Sequence, residues 1–212
     1  MLNKLIVMYA AVGLAATALT ACGSSSSTQD RTDPAVTAST PSMAPVTGLV
    51  DRSGDLAVPG SVHVDTGMSH AQAAHVVQIA QTLYTFWNTG DSKYLDRAIE
   101  PSFRDNTRPA GRPQGPDGPI AASATFRAAV PDLTCRLADL YVIGDSFAVR
   151  LVFRGHFTGT DNGIVGKGQS IDFNAIDIQH LGDGQKITED WHLEDNLTFL
   201  QQADLVSITG SK

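Results

Sequence analysis

Hydrophobic and polar positions keep one period in the first half of the folded region and another in the second. Val76, Ala80, Leu83 and Trp87 recur at helical spacing, Ser69 with Gln72 three residues later makes a capping box, and Gly90 ends the run. A shorter helix is expected from Ser92 to about Glu100, where Pro101 breaks it. Four prolines and three glycines between Pro109 and Pro119 predict a loop, and Ile120 to Ala129 then reads as a helix that stops before Pro131. From Thr134 onward the apolar positions alternate. Thr134–Ile143, Ser146–Thr158, Gln169–Leu181 and Lys186–Asp195 are strand-like, separated by Gly144-Asp145, a glycine-rich stretch from Gly159 to Gly168, and Gly182-Asp183-Gly184. A closing helix is expected from Leu197 to about Leu205. Helices followed by an antiparallel meander predict an α+β domain with the helices packed on one sheet face.

The N-terminus follows a different pattern. Lys4 precedes a run from Leu5 to Leu19 that is apolar apart from Tyr9, Gly13 and Thr17, the form of a signal peptide. It is shorter than the roughly 20 apolar residues that a membrane span needs. The tetrad Leu19-Thr20-Ala21-Cys22 resembles the lipobox of bacterial lipoproteins, which implies that the Cys22 thiol is lipidated and begins the mature chain. An ordinary secretory signal with an incidental cysteine is the alternative. Gly23 and the serines Ser24 to Ser27 read as a flexible leash, and the Ser, Thr and Pro-rich chain to about Thr66 as a disordered tether. The expected organisation is a signal peptide over residues 1–21, a tether over 22–66 and a folded domain over 67–208. Cys22 would then anchor the protein to a bacterial membrane in the cell envelope, facing outside the cytoplasm.

Charge and cysteine content narrow the functions. The formal charge of −7 becomes −8 when Lys4 leaves with the signal peptide, and Lys and Arg are scattered singly, which argues against a nucleic-acid partner. Cys135 is the one other cysteine, so no intramolecular disulfide is expected once Cys22 is acylated; in its strand-like run it reads as a buried, inert thiol. His70, His75, His180 and His192 have no zinc-like spacing with carboxylates, so no metal site is expected. Gly163 to Gly168 lacks the context of a phosphate loop, and there is no Ser-His-Asp signature.

Several motifs in order carry a resemblance: Trp87-Asn88-Thr89-Gly90-Asp91, Gly115-Pro116-Asp117-Gly118, the run from Phe126 to Leu133, Val149-Arg150 with Phe153-Arg154-Gly155, and Asp183-Gly184 before Trp191 and Asp195. From about Ala71 to Gln202 the chain resembles the SnoaL-like polyketide cyclase or ester cyclase family of the NTF2-like superfamily. The resemblance implies a cone of helices wrapped by a curved antiparallel sheet, often in a homodimer. It also implies aldol-type ring closure without metal or organic cofactor, with an aspartate on the last strand as general acid/base. The matching position is Asp195. Two histidines usual in relatives are replaced or displaced here: Asn106 follows Phe103-Arg104-Asp105, and Phe157 follows His156.

Alternation places Ile187, Glu189, Trp191, Leu193 and Asp195 on one strand face, where apolar neighbours would raise the carboxylate's pKa by desolvation. Asp195 has a competing role as N-cap of the helix after it. Asp177 shares a face with Ile171, Phe173 and Ala175 and is the second catalytic candidate; a purely structural hydrogen bond is its alternative. A turn centred near Gly184 would set Asp177 opposite Trp191 and Asp195 opposite Phe173, with the two carboxylates about 13 Å apart. Trp191, Phe173, Asn106 and Arg150 are the candidate pocket residues, Arg150 having an outward sheet position as its other reading. Two functions remain in view: a membrane-anchored enzyme acting on a small hydrophobic carbonyl compound, and a non-catalytic module that binds a small molecule or lipid, or dimerises.

Overall fold

The computed structural model of the chain describes residues 48–183 and 185–207. The apolar run 5–19, Cys22 and most of the expected tether lie outside them. Among the described residues no helix is long and apolar enough to cross a membrane.

In chain order the elements are β1 (Ser61–Val64), α1 (His70–Thr89), α2 (Ser92–Ala98), β2 (Ile99–Asp105), α3 (Asp117–Ala129), β3 (Thr134–Ile143) and β4 (Ser146–Phe157). They continue with the small hairpin β5 (Thr160–Asp161) and β6 (Ile164–Val165), then β7 (Gln169–Leu181), β8 (Ile187–Glu194) and α4 (Asn196–Gln202). The capping box forms as expected: Gln72 N–H donates to the Ser69 hydroxyl at 3.3 Å, and Ser69 N–H to Gln72 Oε1 at 3.2 Å. Gly90 closes α1 at φ 75°, a left-handed conformation suited to glycine, and its N–H donates to the Phe86 carbonyl at 2.7 Å.

One six-stranded sheet, in the order β1-β3-β4-β7-β8-β2, carries the fold. Its four central strands form the expected antiparallel meander. Both edges differ from the expectation of an all-antiparallel sheet, because β1 pairs parallel with β3 and β2 pairs parallel with β8. The stretch after Ala98, expected to complete a helix, is β2. Proline lacks a ladder donor but is tolerated on an edge strand, and Pro101 is exposed there.

The tether expected to reach residue 66 gives way to packed chain by Leu49, which is buried with Val64 in the core. The Gln81 amide clasps this segment: Oε1 accepts from Asp51 N–H at 2.9 Å, while Nε2 donates to the carbonyls of Asp51 at 2.8 Å and Ala57 at 3.0 Å. Such backbone contacts leave no hydropathy signal, so a Pro- and Gly-punctuated stretch that docks on a helix reads like one that does not.

The core lies between the helices and the inner sheet face. At one end Phe126, Phe153, Phe173 and Phe199 cluster, with Phe153 and Phe173 stacked at 5.2 Å. Gly159 ties the end of β4 to α3: its N–H donates to the Ala129 carbonyl at 2.9 Å, and a Cβ there would lie 1.9 Å from the Ala128 carbonyl oxygen.

Candidate functional site

Tyr84 on α1, Asp177 on β7 and His192 on β8 form a hydrogen-bonded chain through the core. The Tyr84 hydroxyl donates to Asp177 Oδ2 at 2.8 Å, and His192 Nδ1 lies 2.5 Å from Asp177 Oδ1. On its other side His192 Nε2 is 3.4 Å from Glu194 Oε2. The ring is further fixed by its own backbone N–H, which donates to Thr107 Oγ1 at 2.8 Å. An imidazole oriented through one nitrogen by a buried carboxylate, with the other nitrogen toward a cavity, is an arrangement suited to acid/base work.

Strand register explains how these groups meet. On β7 the inward row Ile171, Phe173, Ala175, Asp177, Gln179 is as expected from alternation. On β8 Ile187 is inward too, but a bulge between His180 and Leu181 leaves Thr188 as an extra residue opposite that step. One extra residue inverts the phase of everything after it. Asp177 therefore faces His192 rather than Trp191, Gln179 faces Asp190, and Ala175 faces Glu194. The row expected inside, with Trp191 and Leu193, is outside: Trp191 is 40% exposed and Leu193 70%.

The polar row Asp190, His192, Glu194 borders a narrow cavity of about 30 Å³, which it shares with Asp105 and Arg112. Trp87, Ala122, Phe126, Leu133 and Phe153 supply the apolar wall. That volume holds only a water or two. An outer pocket of about 190 Å³ adjoins it, with Asp105, Arg112, His192 and Glu194 common to both and Thr107 and Pro109 on the outer rim. Arg112 sits on the proline- and glycine-rich loop between β2 and α3, so that loop roofs the site.

The electrostatics set two protonation states apart. Burial pulls the His192 imidazolium down, but its hydrogen bonds and charge interactions with Asp177 and Glu194 outweigh this and raise it to about 11. Desolvation, then the Asp177 charge, pushes Asp190 up to about 8, with His192 and Arg112 pulling the other way. Burial and the same Asp177 hold the Tyr84 hydroxyl well above its ordinary range, so it remains a donor. Among the described residues no group of three or more His, Cys, Asp or Glu is arranged to hold a metal ion.

Of the residues singled out from the sequence, Asp177 is at the centre of the site. Asp195 is not on the cavity wall. It is exposed, caps α4 by accepting from Thr198 N–H at 3.0 Å and Thr198 Oγ1 at 2.6 Å, and is held below the usual carboxylate range by those two hydrogen bonds. Arg150 lies on the outer sheet face in an ion pair with Asp139 at 2.7 Å. Asn106 donates to Glu189 Oε2 at 3.1 Å, Trp191 faces outward, and Phe173 packs behind Phe126 and Phe153 in the aromatic cluster; none of the four borders the cavity. Cys135 is buried and its thiol is pushed up, chiefly by desolvation, as an inert core residue would be. Cys22 lies outside the described residues.

Reading the sequence passed over His192, Glu194, Asp190, Tyr84 and Arg112. One signal was available: along β8 the apolar positions Trp191 and Leu193 alternate with three titratable ones, and a functional cavity, unlike a core, faces the titratable row.

The SnoaL-like polyketide cyclase family model matches residues 77–203. A solved structure from Bacillus cereus, assigned as a polyketide cyclase, is 40% identical over 74% of this chain and 99% of its own, with a TM-score of 0.67. TsrD from Streptomyces laurentii is 28% identical over 63% of this chain and 97% of its own, at a TM-score of 0.57. IdmH from Streptomyces antibioticus, also assigned as a polyketide cyclase, is 28% identical over 59% and 97%, at 0.52. Comparison with curated proteins gave no match. With a family model spanning more than half of it and an NTF2-like α+β fold, the chain belongs to the SnoaL-like polyketide cyclase family.

Proposed function

We propose that the cavity binds a small hydrophobic carbonyl compound and promotes cofactor-free, aldol-type ring closure. The observation that carries this reading is the chain Tyr84–Asp177–His192, which delivers an oriented imidazolium to a cavity whose opposite wall is apolar. A ligand carbonyl oxygen replaces Glu194 on His192 Nε2. The imidazolium then stabilises the oxyanion as the freed Glu194 carboxylate takes the adjacent α-proton. The resulting enolate attacks a second carbonyl of the same ligand, one C–C bond forms, and the new alkoxide takes up a proton. Because the inner cavity is narrow, most of the ligand occupies the outer pocket and the roof loop moves aside for the reacting end.

Calorimetry against a panel of aromatic and aliphatic β-dicarbonyl compounds tests this. His192→Gln is expected to weaken binding and to lower turnover of any cyclised compound by about 10²–10⁴-fold, the usual contribution of a positioned acid or base. Asp195→Ala should leave turnover intact while lowering the melting temperature slightly as a lost N-cap. The reverse pattern would return catalysis to Asp195.

The lipobox-like tetrad supports placing this domain at a bacterial cell envelope, tethered through a lipidated Cys22. Cys22→Ser is expected to move the protein from the detergent phase to the aqueous phase on Triton X-114 partitioning; a wild-type chain already in the aqueous phase defeats the anchor. A homodimer is the remaining part of the reading, supported by the apolar outer sheet face.

A further inference from the structure

Gln179 and Asp190 are cross-strand partners on the inner sheet face, and their pairing leaves one atom unaccounted for. Gln179 Nε2 donates to Asp190 Oδ1 at 2.7 Å, whereas Gln179 Oε1 is buried with no hydrogen-bond partner. Gln179 is only 2% exposed, so an orphaned amide oxygen there carries the cost of an unmet acceptor. Rotating the amide does not remove the problem: Oε1 would then face a carboxylate oxygen, two acceptors in contact, and Nε2 would become the orphan. A proton on Asp190 would supply the donor that Oε1 lacks.

We infer that Asp190 is a neutral carboxylic acid in the resting protein, joined to Gln179 in an eight-membered acid–amide ring: Gln179 Nε2–H donates to one carboxyl oxygen and the other carboxyl O–H donates to Gln179 Oε1. On balance the surroundings favour it, although His192 and Arg112 act the other way. Asp190 faces Asp177 and Gln179 on β7, His192 on its own strand, Asp105 on β2, Arg112 on the roof loop and Tyr84 on α1. His192 is held between Asp177 and Glu194, and among the described residues no Lys, Arg or His side chain forms an ion pair with Asp190. Desolvation and the Asp177 charge both favour the protonated form.

Asp190 borders the cavity, so its proton gains a second acceptor when a ligand oxygen enters. In the ring closure proposed above, and resting on that reading, the Asp190 proton passes to the new alkoxide. Asp190 is left as a carboxylate still held by Gln179 Nε2–H, and the proton removed by Glu194 returns through solvent. Gln179 is a positioning residue, which keeps the acid neutral until it is used.

Infrared difference spectroscopy on the ligand-free full chain tests the ring without any substrate. Between pH 6 and pH 9 the wild type should lose a protonated-carboxyl C=O band that shifts in D2O. The band should be absent from Asp190→Asn and move to higher wavenumber in Gln179→Leu, or in Gln179→Asn should the leucine variant not fold. No band in the wild type, or one unmoved in both Gln179 variants, overturns the ring. A second measurement needs no spectroscopy: an asparagine amide reproduces the ring at every pH. The folded acid titrates near 8 against 3.8 when unfolded, so wild-type stability falls as pH rises from about 4 to 8. The melting temperature of Asp190→Asn relative to wild type should climb over that window and then level off; a flat difference contradicts the inference. Either result stands apart from whether ring closure occurs.

Discussion

At the scale of single residues, the site is governed by how few charges can be buried together. Asp177 is 2% exposed and is supported by one hydroxyl and one imidazolium, so removing either partner leaves an unmet charge in the core. His192 supplies the testable consequence. Its folded pKa of about 11 lies above the ordinary imidazole value of 6.5, so its pairing contributes stability that is fully present below pH 6.5 and is lost as pH rises toward 11. The stability gap between wild type and His192→Gln, read by urea denaturation, should therefore be largest near pH 6 and shrink by pH 10; a gap that widens with pH would show that the imidazole is neutral. Asp177 was legible in the sequence because a charge alternating with Ile171, Phe173 and Ala175 calls for a partner. Asp195 was misplaced for a reason just as local: a residue just past a strand's end fits both continued alternation and a helix cap, and the cap prevails because α4 begins at once.

At the scale of elements, most of the fold was present in the spacing of apolar residues. The starts of all four central strands and the caps of α1 match within a residue or so. What alternation could not reveal is the bulge at Thr188, since an extra residue in a ladder is a fact about two strands and not about one. β1 and β2 escaped for a related reason: parallel edge pairing is made by backbone groups of distant segments. The junction at Gly159 shows how closely elements approach. Gly159→Ala is expected to cost about 2 kcal/mol or more, because the methyl meets the carbonyl oxygen of Ala128 with no flexible side chain to give way. A chemical denaturation midpoint unchanged from wild type would mean that the β4–α3 contact is looser than the structure has it.

At the scale of the whole molecule, the outer sheet face carries an exposed apolar patch on β3, β7 and β8. Two cross-strand rows run over it, Tyr141–Ala148–Ile178–Trp191 and Asp139–Arg150–Ile176–Leu193, with Ile178 50% exposed. A second copy of the chain would cover such a patch, with the Arg150–Asp139 pair at its margin. Sedimentation equilibrium is expected to give a dimer for the wild type and a monomer for the Ile178→Lys, Leu193→Lys double variant; a monomeric wild type removes the dimer from the proposal. The inner face of the same strands holds the site, so the phase of β8 decides both surfaces at once. The sequence by itself determined the α+β class, the order of the helices and the four central strands, the inward placement of Asp177 and the lipobox-like tetrad, because periodicity, caps and short motifs are properties of neighbouring residues. Only the tertiary structure decided that His192, Glu194 and Asp190 face the cavity, that residues from Leu49 onward belong to the domain, and that Asp195 does not border the site. Register, bulges and edge pairing are settled between segments far apart in the chain, where no local pattern records them.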